Sequence, residues 1–166
     1  MSANCMRKLI LFACCLLFLQ AKAQNIQRYI DSMNIVPAVD PDLPTLGIDS
    51  TSNGYVEVKY PDGKIWFQLN LINGVCNGEQ KSFYESGALK YHEFYVNGIA
   101  DSTSSSYDEA GFPVSNLNFK AGIRHGIQQI YNEKGIKILE ELYDEGILRR
   151  TTIWNDDGSF FTETTY

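Results

Sequence analysis

From residue 55 onward, apolar and polar positions alternate with a period of two. Val56, Val58 and Tyr60 alternate with Glu57 and Lys59. After Pro61-Asp62-Gly63, Ile65, Phe67, Leu69 and Leu71 alternate with Trp66, Gln68 and Asn70. Two half-buried strands around a tight turn predict a β-hairpin. The pattern then repeats. Glu79 to Tyr84 runs out, Glu85-Ser86-Gly87 turns, and Leu89 to Tyr95 returns with Leu89, Tyr91 and Tyr95 on one face beside Glu93. A third unit pairs Asp101–Tyr107 with Pro113–Phe119, Leu117 and Phe119 pointing inward. A fourth pairs Gly126–Tyr131 with Ile136–Tyr143, and a fifth pairs Leu148–Trp154 with Ser159–Tyr166.

The units keep a fixed rhythm. Turn glycines stand at Gly63, Gly87, Gly111, Gly135 and Gly158, three intervals of 24 residues and one of 23. An aromatic precedes each: Tyr60, Tyr84, Tyr107, Tyr131 and Trp154. A second series falls eight residues after each glycine, at Leu71, Tyr95, Phe119, Tyr143 and Tyr166. Gly74, Gly98, Gly122 and Gly146 close four of the units. A fixed period of this length marks a repeat architecture, in which a hairpin that is marginal alone is held by its neighbours. The expected fold is all-β: an elongated antiparallel hairpin array of about ten strands, with the aromatics forming a ladder along one face.

Residues 24–54 lack this pattern. Ile26, Tyr29, Ile30 and Met33 share a helical stripe, so Gln24–Met33 predicts a short helix that caps the array. Pro37, Pro41 and Pro44 make Ile35–Leu46 an extended linker, and Asp49 to Gly54 reads as a turn. Residues 1–23 form a separate class. Met6-Arg7-Lys8 precedes the apolar run Leu9–Leu19, and Ala21-Lys22-Ala23 supplies small residues at a cleavage point. That is the pattern of a secretory signal peptide cleaved before Gln24, and eleven apolar residues fall short of the ~20 that span a bilayer. The expected product is exported to the periplasm, cell surface or medium, with no integral membrane segment.

Export changes the charge. Removing Arg7, Lys8 and Lys22 leaves 11 of the 14 basic residues against 20 acidic ones, a formal charge of −9. Nucleic acid and anionic lipid both require positive charge and are disfavoured partners. Of the four cysteines only Cys76 remains, so the fold relies on packing and backbone pairing. Cys76 falls in the turn region Asn73–Gly78 and is expected to be half-buried.

Little in the chain points to catalysis. His92 and His125 are the only histidines, 33 residues apart, and no Cys/His spacing suits zinc. No serine sits in a nucleophile elbow. Asp101-Ser102-Thr103-Ser104-Ser105 superficially matches a divalent-metal loop but reads as a polar strand. Glu140 and Glu141 point to opposite faces of one strand, and Glu93 and Glu141, at equivalent phases, are expected on the wet face or bonded to turns. No cofactor or metal is expected.

The units resemble the MORN repeat, in the variant found in many bacterial proteins. The shared pattern runs from an opening glycine through an aromatic to the turn glycine, then an acidic residue, a tyrosine and a closing glycine. It stands here as Gly126, Tyr131, Gly135, Glu141, Tyr143 and Gly146, and as Gly78, Tyr84, Gly87, Glu93, Tyr95 and Gly98. The third unit has Asp101-Ser102 in place of the opening glycine, and the fifth has Arg149-Arg150 there and Trp154 for tyrosine. The resemblance implies a non-catalytic interaction module. It includes proteins named as antitoxins, so an antitoxin-like protein neutralising a partner toxin is a less favoured reading.

The leading expectation is a scaffold that binds another envelope or secreted protein along a sheet face. Trp66 and Phe94, aromatics outside the repeat phase, are the candidate partner-binding residues. A carbohydrate- or cell-wall-binding module is the alternative, and would need an exposed row of rings.

Overall fold

The computed structural model describes residues 48–166, all within the compact unit Pro44–Tyr166. The expected signal peptide, the expected helix over Gln24–Met33 and the expected linker Ile35–Leu46 lie outside the described residues. The described residues form one open antiparallel sheet. Ten strands follow one another along it: β1 (Gly54–Lys59), β2 (Ile65–Ile72), β3 (Val75–Phe83), β4 (Leu89–Val96), β6 (Ser102–Tyr107), β7 (Pro113–Lys120), β9 (Gly126–Tyr131), β10 (Lys137–Asp144), β11 (Ile147–Trp154) and β12 (Phe160–Thr165). Two two-residue strands extend the path, β5 (Ile99–Ala100) beside β4 and β8 (Ile123–Arg124) beside β7. The strand order is therefore the chain order, as expected of stacked hairpins.

Each hairpin opens on the same loop. The Tyr60 amide donates to the Lys64 carbonyl at 2.8 Å, and the Gly63 amide to the Tyr60 carbonyl at 2.9 Å. The same pair of bonds recurs at Tyr84, Asp108, Asn132 and Asn155. Gly63 has φ of +88°, which makes this a turn followed by a left-handed glycine, with a register shift between Val58 and Lys59 beside it.

The closing turns are a second type. Asn97 and Gly98 both have positive φ, 52° and 77°, the mirror-image two-residue turn that matches strand twist. Ala121-Gly122 and Glu145-Gly146 adopt it too, although Ala121 and Glu145 have side chains that disfavour it. These turns stack. The amides of Gly74, Gly98, Gly122 and Gly146 each donate at 2.8 Å to a carbonyl of the preceding unit: Ser52, Cys76, Ala100 and Arg124. A Cβ on Gly98 would sit 2.8 Å from Val75 Cγ1, so close approach adds a second demand for glycine there.

A bulge bends the first strand of most units. Leu69 pairs with Gln80 and Leu71 with Cys76, so Asn70 faces three residues, Asn77-Gly78-Glu79. Gly78 has φ of +104° at its centre. The repeat-equivalent positions Gly54, Ser102 and Gly126 also have positive φ, 88°, 69° and 79°. Ser102 thus takes a glycine conformation despite its side chain. The fifth unit differs. Leu142 pairs with Arg150 and Tyr143 with Leu148, leaving only Arg149 extra. The bulge has lost one residue, which is why the last glycine interval is 23 rather than 24.

One face carries the core: Phe67, Leu69, Leu71, Cys76, Tyr95, Leu117, Phe119, Ile130 and Leu139 are all buried. Leu69 has no exposed surface. Inward Leu117 and Phe119 are as expected. Cys76 differs from expectation, being fully buried in β3 rather than half-buried in a turn. The expected aromatic ladder takes another form at its first two positions. The Tyr60 hydroxyl donates to the Phe83 carbonyl at 2.7 Å and the Tyr84 hydroxyl to the Tyr107 carbonyl at 2.9 Å, so these phenols join hairpins through their oxygens.

Candidate interaction surface

The face opposite the core is ordered by a polar ladder. Glu57, Gln68, Lys81, His92, Ser105, Asn116, Gln129, Glu140, Thr152 and Glu163 pair in succession, one from each of the ten strands. Neighbours bond directly: Gln129 to Glu140 at 3.0 Å and Thr152 to Glu163 at 3.0 Å. Lys137 and Arg150 flank Glu140 at 2.7 and 3.6 Å. His92 lies 2.7 Å from Glu79. This row is a structural network, and it takes up His92, Ser105 and Glu140 among the polar residues considered for chemistry. Ser105 bonds to Asn116 and Thr103 to Asn118, so the apparent metal loop is a polar strand.

Glu93 and Glu141 correct the expectation made for them. Both lie on the core face, 5% and 7% exposed. Glu93 accepts from Ser104 Oγ at 3.0 Å and Tyr95 OH at 3.3 Å. Burial pushes its carboxyl above the ordinary range, against the opposing pull of those two hydrogen bonds. Burial also raises the Cys76 thiol and the Tyr95 phenol, and the Glu93 charge adds to both. Cys76 donates to Gln80 Oε1 at 3.3 Å and is not activated as a nucleophile. Glu141 instead has Arg124 at 3.8 Å, and that guanidinium also meets Tyr143 OH at 3.3 Å. Among the described residues no group of three His, Cys, Asp or Glu side chains converges to hold a metal ion.

The stacked closing turns produce the most regular exposed apolar feature. Val75, Ile99, Ile123 and Ile147 each follow a closing glycine, 24 residues apart, and are 42, 50, 52 and 56% exposed. The first three each lean over the glycine of the next turn. Two strands at ~4.8 Å per unit set the row at a spacing of roughly 10 Å. Ile72 and Val96, also exposed, widen the ridge in the first two units. A shallow cleft of about 340 Å³ opens between the second and third turns, lined by Val96, Asn97, Ile99, Asp101, Lys120 and Ala121.

Trp66 and Phe94 share the ladder face but are not brought together. Trp66 sits near the opening-turn end of β2, half-buried and stacked on Tyr60 with centroids 5.3 Å apart. Phe94 sits near the closing-turn end of β4, 39% exposed, against His92 at 5.2 Å and two residues from Val96 of the ridge. Sequence reasoning passed over the ridge itself. Its signal was a β-branched residue directly after every closing glycine.

Strand path, paired turn types and recurrent bulge define a β-hairpin repeat protein. Residues 77–97 match a family model described as a MORN repeat variant. That span runs from the β3 bulge through the opening turn to the first residue of the closing turn, one structural unit of the array. No curated protein matches the chain. No helix among the described residues is long and apolar enough to cross a membrane.

Proposed function

We propose that this protein is an exported, non-catalytic repeat scaffold that binds another envelope or secreted protein through the ridge of closing turns. The observation that carries this reading is the exposed row Val75, Ile99, Ile123 and Ile147 with Phe94 at its margin. Exposed apolar rows of this regularity on a protein surface mark contact sites. Repeat arrays present such extended surfaces without a deep pocket. Trp66 lies at the other end of the strands, outside this ridge. The signal-like Leu9–Leu19 run and the acidic composition support export and a protein partner rather than nucleic acid. The ring faces that a glycan would stack on are partly taken: Tyr60 by Trp66, Tyr84 by Lys90 at 5.4 Å, and Trp154 by Lys137 at 4.3 Å.

Photo-crosslinking in intact cells tests the reading. A photoreactive residue at Ile123 should trap one protein product that Ile99→Asp abolishes, while the same group at Asp108, on the opposite edge, should trap none. Equal trapping from both edges, or co-purification of polysaccharide alone, would reject it.

A further inference from the structure

The two ends of the sheet are complementary in kind. Among the described residues β1 pairs only with β2, and β12 only with β11. Within the array a return strand always receives the outgoing strand of the next unit, as β2 receives β3 and β10 receives β11. β12 is a return strand and β1 an outgoing one. β12 also exposes what the earlier junctions cover. Tyr166, the residue after β12, occupies the phase of buried Leu71, Tyr95 and Phe119 and half-buried Tyr143, yet is 67% exposed. Phe160 and Phe161, within β12, are exposed as well. β1 in turn has the bulge already shaped. Gly54 keeps the left-handed φ of Gly78 and Gly126, whose open sides face Asn70 and Asn118 of the preceding return strand, but nothing lies within 4 Å of its own.

We propose that β12 takes β1 of a second copy of this chain, continuing the sheet head to tail across molecules. The repeat register fixes what meets what. Glu163 holds the place of Gln68, and Glu57 that of Lys81, which pair at the β2–β3 junction. A second copy therefore brings Glu57 of one molecule opposite Glu163 of the other, the end residues of the polar ladder. Directly opposed like charges weaken strand pairing, and charge on an edge strand is a common guard against runaway edge-to-edge growth. Such a contact is heterologous and would otherwise propagate into an open filament. The like-charge pair keeps the association weak and makes it respond to salt.

Sedimentation velocity of the purified protein tests this. The natural protein should associate weakly and more strongly as salt screens the two carboxylates. Glu57→Lys replaces repulsion by attraction and should tighten association about tenfold at low salt. Adding Glu163→Lys to that variant should return it to the starting value. Both positions are exposed at sheet edges; because Glu163 also accepts from Thr152 and lies 3.9 Å from Arg150, each variant's fold is checked first by its circular dichroism. Proteins carrying Glu57→Cys and Glu163→Cys, mixed, should cross-link to each other through a short bis-maleimide more than either does to itself. A Glu57→Lys protein that stays monomeric, a gain indifferent to Glu163→Lys, or no preferential cross-link between the mixed variants would overturn the proposal.

Discussion

The second and fourth units hold the same acidic residue in the same place and treat it differently. Glu93 and Glu141 are 48 residues apart at one repeat phase, each two residues before a tyrosine, each buried. Seventeen residues before Glu141 stands Arg124, whose guanidinium reaches it. Seventeen residues before Glu93 stands Cys76. One carboxylate therefore has a cation and the other has a serine, a tyrosine and a thiol nearby. The comparison shows that the repeat supplies the position but not the electrostatics. Those are set by a side chain from the neighbouring strand, which the motif leaves free to vary.

The largest effect separating the two units should come from Arg124→Ala. It strips a buried carboxylate of its cation and leaves Tyr143 without the guanidinium, a loss of about 3 kcal/mol measured by urea unfolding at pH 7. The equivalent change in the second unit, Cys76→Ala, removes only a buried thiol and should cost about 1 kcal/mol.

Glycine replacements should divide the turns next. Gly98→Ala meets Val75 and adopts an unfavourable φ, so it should cost more than Gly63→Ala, where nothing lies within 4 Å and only the φ penalty of about 1–2 kcal/mol applies.

Glu93→Gln should act in the stabilising direction above neutrality, by less than the loss at Arg124→Ala. The folded state raises this carboxyl above its unfolded value near 4.5, so it holds the proton more tightly than the unfolded chain does. No stability is lost to it below that unfolded value. The cost grows as pH rises through the unfolded and then the folded pKa. The difference between Glu93→Gln and the natural protein should therefore widen with pH above about 4.5 in thermal melts. A constant gap would show that the carboxyl is not desolvated.

Ser102→Gly should give the smallest effect, a gain of up to about 1 kcal/mol, because it restores glycine at a left-handed bulge position. The same substitution logic does not apply at Arg150, where the shorter bulge has removed the need.

Much of this architecture was legible in the sequence because turns and alternation are local. Gly63, Gly87, Gly111 and Gly135 marked the opening loops, and the strand starts at Gly126 and Pro113 followed from turn chemistry. Even the odd interval of 23 recorded a real event, the lost bulge residue near Arg149. Alternation also placed Glu93 on the face of Tyr91 and Tyr95. It could not say that this face is dry there, because dryness depends on the neighbouring strands that bring Ser104 and Cys76 beside it. The ridge escaped for a related reason. Val75, Ile99, Ile123 and Ile147 each look like an ordinary residue beside a turn, and only the stacking of turns aligns them. Trp66 and Phe94 were singled out by leaving the phase, yet phase alone did not reveal that Tyr60 covers one and the ridge borders the other.

Stacked turns hold the units in one register and create the exposed row, so their inter-unit hydrogen bonds are the feature to measure. Amide exchange read residue by residue in the folded protein should show Gly98, Gly122 and Gly146 as slow as the central strand amides, each being bonded to the preceding unit. Exchange at the rate of free turn amides would mean that the hairpins are not locked to one another, and the ridge would not exist as a surface.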